Sequence, residues 1–510
     1  MSRRQVSLGG TSRTRVAVHR GITVRHLPIQ LIGDARRSIM LPFNMGGHHD
    51  LQSVFTYVEG LTDQEVVVTL VSLVADFRGR HSRFEERLQE RYESAARING
   101  STGGTSSARL SRERRLLIGA YFSMEYSIEA AALFNPSIVP HPDQRGAPRG
   151  GLRFIMSLRA VGEGHISTTV FQTGTVSAAG IFHLDPATGR SASPRVVPDA
   201  RYRKDLLRRK LCEMGMAPEM ADPIFARLPE LFTHAELDAA TNAVRAEAGE
   251  DPRLSNAIST LEWLVRANYR LRLLPEDQVQ DLVLFPRSDS ESRGIEDMRL
   301  VKFVDEGGAA TWYGTYTAFN GQSILPMLME TPDFRSFCIH TLNGACVQNK
   351  GMALFPRRIG GHYAMCSRID GRNLYLMTSD LVHFWETATV LARPKYPWEW
   401  RLIGNCGSPL LTPEGWLLIT HGVGPMRRYS IGAMLLDASD PLRIRGRLKE
   451  PLIAAAEQGV RGYVPNVVYS CGALIHKERL YLPYAVSDSA TRIAIVRLPE
   501  LIDQLLQDGA

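Results

Sequence analysis

Apolar residues recur at helical spacing near the start of the chain. Over residues 51–98 the apolar positions return every third or fourth residue and lead into the charged stretch RFEERLQERYESAARI, which predicts helix. Asn99 and Gly100 interrupt this pattern. A second helix is predicted over 111–133 (SRERRLLIGAYFSMEYSIEAAAL). Residues 1–133 are therefore expected to form an N-terminal extension that is largely helical.

From residue 134 onward the pattern changes to short apolar stretches separated by Gly, Pro and Asp, which predicts a mainly β chain. One interruption, residues 201–270, is rich in Leu, Ala, Glu and Arg and is divided by Pro218, Pro223 and Pro229. This composition predicts a helical insertion within the β region.

Five segments of the β region repeat a turn, an apolar strand and a closing polar residue. They are GGLRFIMSLRA (150–160), GAATWYGTYTA (308–318), GGHYAMCSRI (360–369), EGWLLITHGV (414–423) and KERLYLPYAV (477–486). The later units lie roughly 50–65 residues apart, a spacing typical of four-stranded blades with their loops. We therefore expect a five-bladed β-propeller over 134–505, in which the closing residues converge on a central pocket. These residues are Arg159, Thr317, Arg368, His421 and Tyr484.

The composition is that of a globular protein, with 510 residues, 44% hydrophobic and 22% charged. The net charge of +7 raises the question of a nucleic-acid partner. The basic runs at 111–115 and 201–210 lie in predicted helices with apolar partners, which indicates solvated helix faces. No nucleic-acid partner is expected.

The basic N-terminus lacks the apolar stretch of a secretory signal, and no segment is long and apolar enough to span a bilayer. A cytoplasmic protein without a membrane partner is expected. The six cysteines form no CxxC pair and are interpreted as reduced core thiols. His165 has no second His or Cys at ligand spacing, and HHD (48–50) lies outside the repeats, so no metal is expected.

The segment SRGIEDMRLVKF (292–303) places two adjacent carboxylates, Glu296 and Asp297, before an apolar strand. Because neighbouring residues of a strand face opposite sides, only one of the two is expected to point into a pocket, and the other would brace Arg293 or Arg299. From the residues alone, such a pair is more often a surface salt-bridge element.

Two further polar segments have both a structural and a functional interpretation. Asn135 precedes a proline, where its amide could donate to a ligand hydroxyl or simply end a helix. Arg159, Glu163 and His165 surround two glycines, as in a sugar-binding loop or a hydrogen-bonded corner. Neither alternative is excluded by the residues.

The motifs FNPSIV, MSLRA, GIEDMR, NKGMALFP, EGWLLITHGV, YSIGAMLLD and VPNVVYSCG, in this order, resemble the mannoside phosphorylases and β-mannosidases of glycoside hydrolase family 130. The resemblance covers about residues 115–500 and implies a five-bladed propeller. The extra N-terminal helices and the insertion resemble a long-form bacterial branch. These helices are candidates for a homo-oligomer contact.

The resemblance also implies roles for individual residues. Asp297 corresponds to the general acid of the family motif, with Met298 where proline is usual. Asn135 and Arg159 correspond to residues that hold the cleaved sugar, and Asp488 to a hydroxyl-binding aspartate. Glu296 is then a supporting neighbour. His421, from the strand repeats, is a further substrate-binding candidate.

The phosphate ligands of family phosphorylases are only partly matched. Lys350 and Arg368 are candidates, but Phe319 stands where an arginine is expected, and Ser367 where a histidine is. Because a phosphate dianion needs several donors, the sequence favours inverting hydrolysis of a β-mannoside over phosphorolysis to mannose 1-phosphate. No cofactor is expected other than phosphate as a co-substrate in the second case.

Two points stay open at this stage. A carbohydrate-binding propeller without catalysis is a third hypothesis, and an oligosaccharide is the expected partner in all three. A general base for hydrolysis could be supplied by Glu330, Glu457 or Asp488.

Overall fold

The computed structural model describes residues 14–43, 48–101, 110–197, 201–248, 251–455 and 462–510. Strands outnumber helices in these ranges, which confirms the prediction of a mainly β chain. Glu457, one of the three candidate bases, lies outside the described residues. In the ranges that are described, no helix is long and apolar enough to cross a membrane.

The N-terminal region begins with strands and continues with helices. Its elements are β1 (Arg15–His19), β2 (Ile22–Ile32), β3 (Ser38–Pro42), α1 (His48–Gly60), α2 (Asp63–Phe77), α3 (Phe84–Ser101), α4 (Arg112–Tyr121) and β4 (Ser123–Ser127). The helix predicted over 111–133 ends at Tyr121, and the residues that follow pair with β3 instead. The sequence analysis did not predict the strands before α1.

Local signals set the ends of these helices. Thr62 and Glu65 form a capping box at the start of α2, and the Ser111 side chain accepts a hydrogen bond from the Arg114 amide at the start of α4. Gly119 allows α4 to approach α3, because a Cβ at that position would lie 1.9 Å from the Leu88 carbonyl oxygen. The helices bury a shared apolar cluster that includes Val58.

The middle of the chain holds five strands followed by the insertion. The strands are β5 (Ala132–Pro140), β6 (Leu152–Val161), β7 (Ser167–Val176), β8 (Phe182–Leu184) and β9 (Arg195–Val196). The insertion contains β10 (Arg201–Arg203), α5 (Lys204–Glu213), α6 (Pro218–Phe225), β11 (Leu231–Thr233), α7 (His234–Ala248) and α8 (Pro252–Arg266). Its helices have an apolar core of their own, around Leu211, Phe225 and Leu261.

The remaining elements are nearly all strands. Those before residue 400 are β12 (Tyr269–Arg272), β13 (Val283–Leu284), β14 (Gly294–Val304), β15 (Ala310–Phe319), β16 (Ile324–Thr331), β17 (Ser336–Thr341), β18 (Ala353–Leu354), β19 (Tyr363–Ser367), β20 (Leu374–Ser379) and β21 (Thr387–Ala392). Those after it are β22 (Leu402–Asn405), β23 (Leu410–Thr412), β24 (Gly415–Val423), β25 (Tyr429–Leu436), β26 (Ile444–Arg447), β27 (Ile453–Ala454), β28 (Val468–Tyr469), β29 (Leu474–His476), β30 (Arg479–Val486), β31 (Ala490–Arg497) and the final helix α9 (Leu498–Asp508).

The strands form antiparallel groups in chain order. Strands β5-β6-β7 and β14-β15-β16-β17-β12-β9 are joined by one parallel bridge, Gly294 to Ser167. Strands β18-β19-β20-β21 and β22-β24-β25-β26 form separate sheets. In the last sheet, β1-β2-β31-β30-β28, Val24 of β2 pairs with Val496 of β31, so both ends of the chain contribute to one sheet.

Each of the five repeated segments contains a strand, namely β6, β15, β19, β24 and β30. The prediction that their closing residues converge is wrong for Tyr484, whose hydroxyl bonds His26 Nδ1 at 2.9 Å inside an apolar cluster. The cysteines are all free, but Cys212 is exposed on α5 and therefore is not a core thiol.

Candidate active site

Asp297 lies where the regular pairing of β14 is interrupted. The register between β14 and β15 shifts between Glu296 and Arg299, and Asp297 has a φ of 54°. This shift is a β-bulge, which re-aims side chains. Both carboxylates consequently contact Arg159, whose guanidinium nitrogens lie 2.7 Å from Glu296 and 3.2 Å from Asp297. Of the two carboxylates, Glu296 is among the described residues that line the cleft and Asp297 is not, and the bulge lets both contact the same arginine.

Asn135 reaches the same carboxylate from another bulge. The register between β5 and β6 shifts between Phe134 and Ser137, and Asn135 has a φ of 49°. Its side-chain amide donates to Asp297 Oδ1 at 2.7 Å. Asp488, between β30 and β31, also has a φ of 49°. Left-handed backbone costs residues other than glycine free energy and is concentrated at functional sites.

Glu296 is held from two sides. Arg159 donates to its Oε1, and Lys350 Nζ donates to its Oε2 at 2.8 Å. Arg159 is itself oriented by Ser167, whose Oγ accepts from Arg159 Nε at 2.9 Å, and by the Phe134 ring, over which its guanidinium lies. The arginine therefore has a fixed position between the two carboxylates.

The charges around Asp297 favour its ionised form. Burial alone would raise the pKa of Asp297, but Arg159, Arg299, the Asn135 hydrogen bond and Lys350 together hold that pKa below its usual value. Arg299 also donates to the Asp297 backbone carbonyl at 3.1 Å. Without a ligand, Asp297 is a carboxylate at neutral pH.

Asp488 has the opposite tendency. Burial and the nearby Asp297 charge raise the pKa of Asp488 to about 6, against the opposing effects of Arg159 and Arg427. Two neighbouring carboxyl groups whose pKa values are pushed apart are typical of sites that move protons.

Arg299 begins a second group of contacting side chains. Arg299 Nη2 donates to the Tyr469 hydroxyl at 2.6 Å, and the Tyr469 ring packs edge-on against His421. His421 Nε2 in turn lies 3.3 Å from Arg368 Nη1. Burial, together with the charges of Arg368 and Arg299, holds the pKa of His421 well below its usual value, so the imidazole is neutral. Because Nε2 accepts from Arg368, the ring hydrogen lies on Nδ1.

Two N–H groups of this second group, Arg299 Nε and Arg368 Nε, are buried and have no hydrogen-bond partner among the described residues. His421 is hydrogen-bonded to the Asn405 backbone. Buried donors are nearly always paired in folded proteins. Because they lie next to Asp297, these donors are suited to an anionic or strongly accepting ligand.

An open cleft of about 460 Å³ leads to Glu296, which contacts the same arginine as Asp297. Its lining includes Phe134, Arg159, His165, Glu296, Phe319, Tyr463 and Asp488. The Tyr463 side chain is largely exposed and stacks on His165 with ring centroids 5.8 Å apart. An exposed aromatic pair at the rim of a polar cleft is suited to packing against a sugar ring.

The structure groups most of the residues that the sequence singles out. Direct contacts join Asn135, Arg159, Glu296, Asp297 and Lys350, and Asp488 lines the cleft beside them. Arg368 and His421 belong to the inner group. Glu330 does not line this cleft and lies instead with His340 and His383.

The sequence analysis gave no ligand-binding role to Arg299 or Tyr469. Both lie in motifs that it quoted, GIEDMR and VPNVVYSCG, and Arg299 follows Asp297 by two positions. Their contact joins residues 170 positions apart, which no local pattern indicates.

The chain is similar to a family model and to relatives that are all named as phosphorylases of mannosides. A family model described as beta-1,4-mannooligosaccharide phosphorylase matches residues 276–507. The 1,2-beta-oligomannan phosphorylase of Thermoanaerobacter sp. (strain X514) is 31% identical over 223 residues, covering 43% of this chain and 73% of that protein. The Beta-1,2-mannobiose phosphorylase of Listeria innocua serovar 6a is 28% identical over 273 residues, covering 50% and 75%.

Solved structures were also compared. The complex of Beta-1,2-Mannobiose phosphorylase from Listeria innocua with beta-1,2-mannobiose matches with a TM-score of 0.43 and 18% identity, over 74% of this chain and 93% of that one. The matched range of the family model contains Asp297, Lys350, Arg368, His421 and Asp488.

Proposed function

The chain belongs to glycoside hydrolase family 130, a family of glycoside phosphorylases and hydrolases, and on that premise we propose that it is a β-mannoside phosphorylase. It would cleave a β-mannosidic bond with inorganic phosphate and release mannose 1-phosphate. The observation that carries the proposal is the group of buried, unpaired N–H donors adjoining Asp297. The relatives described above are also named as phosphorylases.

The donor group answers the objection that phosphate ligands are missing. The sequence analysis favoured hydrolysis because Phe319 and Ser367 replace an expected arginine and histidine. Arg299 and Arg368 supply cationic N–H donors from other positions, and Lys350 adds a third. Charge-assisted hydrogen bonds of this kind are strong, and several of them match a phosphate dianion.

Asp297 is proposed as the general acid, which requires it to gain a proton in the complex. Phosphate beside Arg299 and Lys350 would cancel part of the positive charge that holds its pKa down. A mannoside filling the cleft would also remove water from it. Both changes raise the pKa of Asp297, so that it can protonate the departing sugar oxygen as the phosphate attacks from the opposite face.

Phosphorolysis needs no general base, because phosphate is itself the nucleophile. Glu296 and Asp488, which line the cleft, are then free for other roles. Glu296, fixed by Arg159 and Lys350, keeps both cations in place. Asp488 would accept hydrogen bonds from mannose hydroxyls. So would the side-chain Oδ1 of Asn135, which is buried and has no hydrogen-bond partner among the described residues.

We further propose that the strand groups are the blades of a five-bladed propeller, whose central channel holds the Asp297 site. The blades would be β5 to β8, β14 to β17, β18 to β21, β22 to β26, and the sheet that joins β1 and β2 to β30 and β31. The N-terminal strands would then close the ring. Residues 201–270 and, apart from β1 and β2, residues 1–133 would be additions to this unit.

Hydrolysis stays the second candidate, because Phe319 lines the cleft where an arginine would bind phosphate. The full-length protein should be incubated with β-1,2- and β-1,4-mannobiose, with and without inorganic phosphate, and the sugars separated chromatographically. Mannose 1-phosphate formed only with phosphate supports phosphorolysis. Free mannose released at the same rate without phosphate would replace it with hydrolysis.

A variant tests the donor group directly. Arg368→Met should raise the KM for phosphate about tenfold, the equivalent of ~1.4 kcal/mol, and leave the KM for the mannoside unchanged. Arg372→Met is the matched control, since Arg372 lies over the exposed Trp400 ring. If both variants keep the wild-type KM for phosphate, the donor group does not bind phosphate.

A further inference from the structure

Three side chains that commonly bind metals meet away from the Asp297 cleft. They are Glu330 on β16, His340 on β17 and His383 between β20 and β21. One ligand atom from each lies within 4.8 Å of the other two. The two imidazole rings are arranged edge to face, with centroids 4.7 Å apart. None of the three is among the described residues that line the Asp297 cleft.

The fold brings these residues together from distant positions. In the β16–β17 ladder Leu328 is opposite His340 and Glu330 is opposite Cys338, so Glu330 and His340 are diagonal neighbours on one face. His383 is held beside the end of β17, because its carbonyl oxygen accepts hydrogen bonds from both the backbone and the side-chain N–H groups of Asn343. The cluster therefore rests on backbone pairing and not on flexible side chains alone.

The two histidines are in the form that binds metal. Burial, with smaller effects of His383 and Arg270, lowers the pKa of His340 to about 3. Burial and the Arg203 charge lower the pKa of His383 to about 4. Both rings are neutral at pH 7 and keep a lone pair for coordination. His383 Nε2 is moreover buried without a hydrogen-bond partner.

We propose that Glu330, His340 and His383 bind one Zn²⁺ ion, with a water molecule in the fourth position. Two imidazoles and one carboxylate form a common zinc ligand set. A tetrahedral ion with bonds of about 2.1 Å holds its ligand atoms roughly 3.4 Å apart, so ligand atoms now within 4.8 Å of one another would approach by up to about 1.4 Å. His340 and His383 line a neighbouring cleft, from which the water would come.

Positive charges near the three proposed ligands would weaken the binding of a cation, and removing one of them tests the proposal. Arg203 is paired with Asp205, and Lys210 with Glu213. Arg270, opposite Cys338 in the β12–β17 ladder, acts on Glu330 and His340. Burial also raises the pKa of Glu330, so a proton competes with the metal there. Arg270→Gln should tighten zinc binding severalfold, because it removes a like charge.

The bound ion would connect two sheets at a point that the insertion also contacts. Glu330 and His340 belong to the sheet of β14 to β17, whereas His383 follows β20 of the next sheet. Arg209 of α5 lies over the Phe384 ring at 4.1 Å, next to His383. Zinc should therefore raise the melting temperature of the protein, because it binds only the folded arrangement.

The experiment uses the full-length protein, stripped with EDTA and dialysed. Titration with Zn²⁺ by calorimetry should give one equivalent bound with a Kd in the micromolar range or below. His340→Ala and His383→Ala should each weaken binding about 100-fold or abolish it, at the upper end of what lost metal-site contacts cost. His362→Ala is the matched control, since His362 is an exposed histidine paired with Asp380.

A spectroscopic measurement guards against variants that fail to fold. Co²⁺ bound to the wild-type protein should give the visible absorption of a four-coordinate ion, and added Zn²⁺ should remove it. The proposal is overturned if the wild-type protein binds no zinc in this range, or if the double variant His340→Ala, His383→Ala folds and binds it equally well.

Discussion

At two buried places of this protein an arginine contacts carboxylate groups at similar distances, but in different surroundings. Arg159 contacts Glu296 at 2.7 Å and Asp297 at 3.2 Å, and Arg37 contacts Glu129 at 2.6 Å. The Glu129 side chain has no exposed surface, and its second oxygen accepts from the Asp34 amide. The Asp297 side chain is 18% exposed, at the end of an open cleft.

The difference shows that a buried carboxylate next to an arginine is not in itself a functional feature. The Arg37–Glu129 pair joins the segment before β3 to the segment before β5, on ordinary backbone. Asp297 combines left-handed backbone, a second carboxyl group with a raised pKa and an adjoining group of unpaired donors. This combination, which costs stability, is expected only where a ligand repays it.

The largest expected effect is on catalysis. Asp297→Asn removes the proposed acid but keeps the size of the side chain and an acceptor for Asn135. We expect kcat/KM for a β-mannoside to fall about 1000-fold, or ~4 kcal/mol of transition-state stabilisation. Initial rates of mannose 1-phosphate formation measure this loss, and circular dichroism checks the fold. A variant within threefold of the wild-type rate would exclude Asp297 as the acid.

The contrast between the two pairs could be only partly foreseen from the sequence. The five strand repeats were recognisable because each combines a turn with an apolar strand, and Asp297 lay in a motif of a known family. The side-chain directions at Asn135 and Asp297 were not foreseeable, because a bulge adds one residue without changing the composition of the strand.

The long-range contacts could not be predicted from the sequence because they join residues far apart along the chain. Tyr469 reaches Arg299 across 170 positions, and Arg37 reaches Glu129 across 92. The pairing of β1 with β2 is a local hairpin through Arg20 and Gly21, but the pairing of β2 with β31 of the C-terminal sheet has no local signal. Tertiary pairing decides such elements, whereas the helices were recognisable by their apolar spacing.

The second effect is on stability and should spare activity. Glu129→Leu leaves the buried Arg37 guanidinium without a counter-charge, which should cost about 3 kcal/mol of unfolding free energy. Denaturant unfolding measures the loss, and the activity per folded molecule should stay unchanged. The double variant Arg37→Met, Glu129→Leu should recover most of the stability, because no unpaired charge remains. A single variant as stable as the wild type would contradict this interpretation of the pair.

The third effect depends on pH and concerns Asp488. Its pKa is about 6 in the folded protein and close to 4 in an unfolded chain, so the folded state holds a proton that the unfolded state has lost in this range. The contribution of Asp488 to the free energy of unfolding therefore falls as the pH rises from about 4 to about 6, and is constant above that. Asp488→Asn should nearly match the wild type at pH 4 and exceed it by about 3 kcal/mol at pH 8.

Unfolding curves at several pH values test the Asp488 prediction. Asp297 is the internal comparison, because the surrounding cations hold its pKa down. Asp297→Asn should therefore lose stability relative to the wild type as the pH rises from the lowered folded-state pKa of Asp297 to its ordinary value of 3.8, and the difference should stay constant above that. If both variants show the same pH dependence, the pKa values of Asp488 and Asp297 are not shifted in opposite directions.

The smallest effect is expected at the surface, where an ion pair of similar length has neither burial nor a cleft. Arg112 of α4 contacts Glu85 of α3 at 2.7 Å, with side chains 62% and 31% exposed. Water competes for both groups, so Glu85→Gln should change the unfolding free energy by less than about 0.5 kcal/mol and leave activity unaltered. Denaturant unfolding beside Glu129→Leu makes the comparison direct. A loss as large as that of Glu129→Leu would mean that burial does not separate the two pairs, and that distance alone sets their strength.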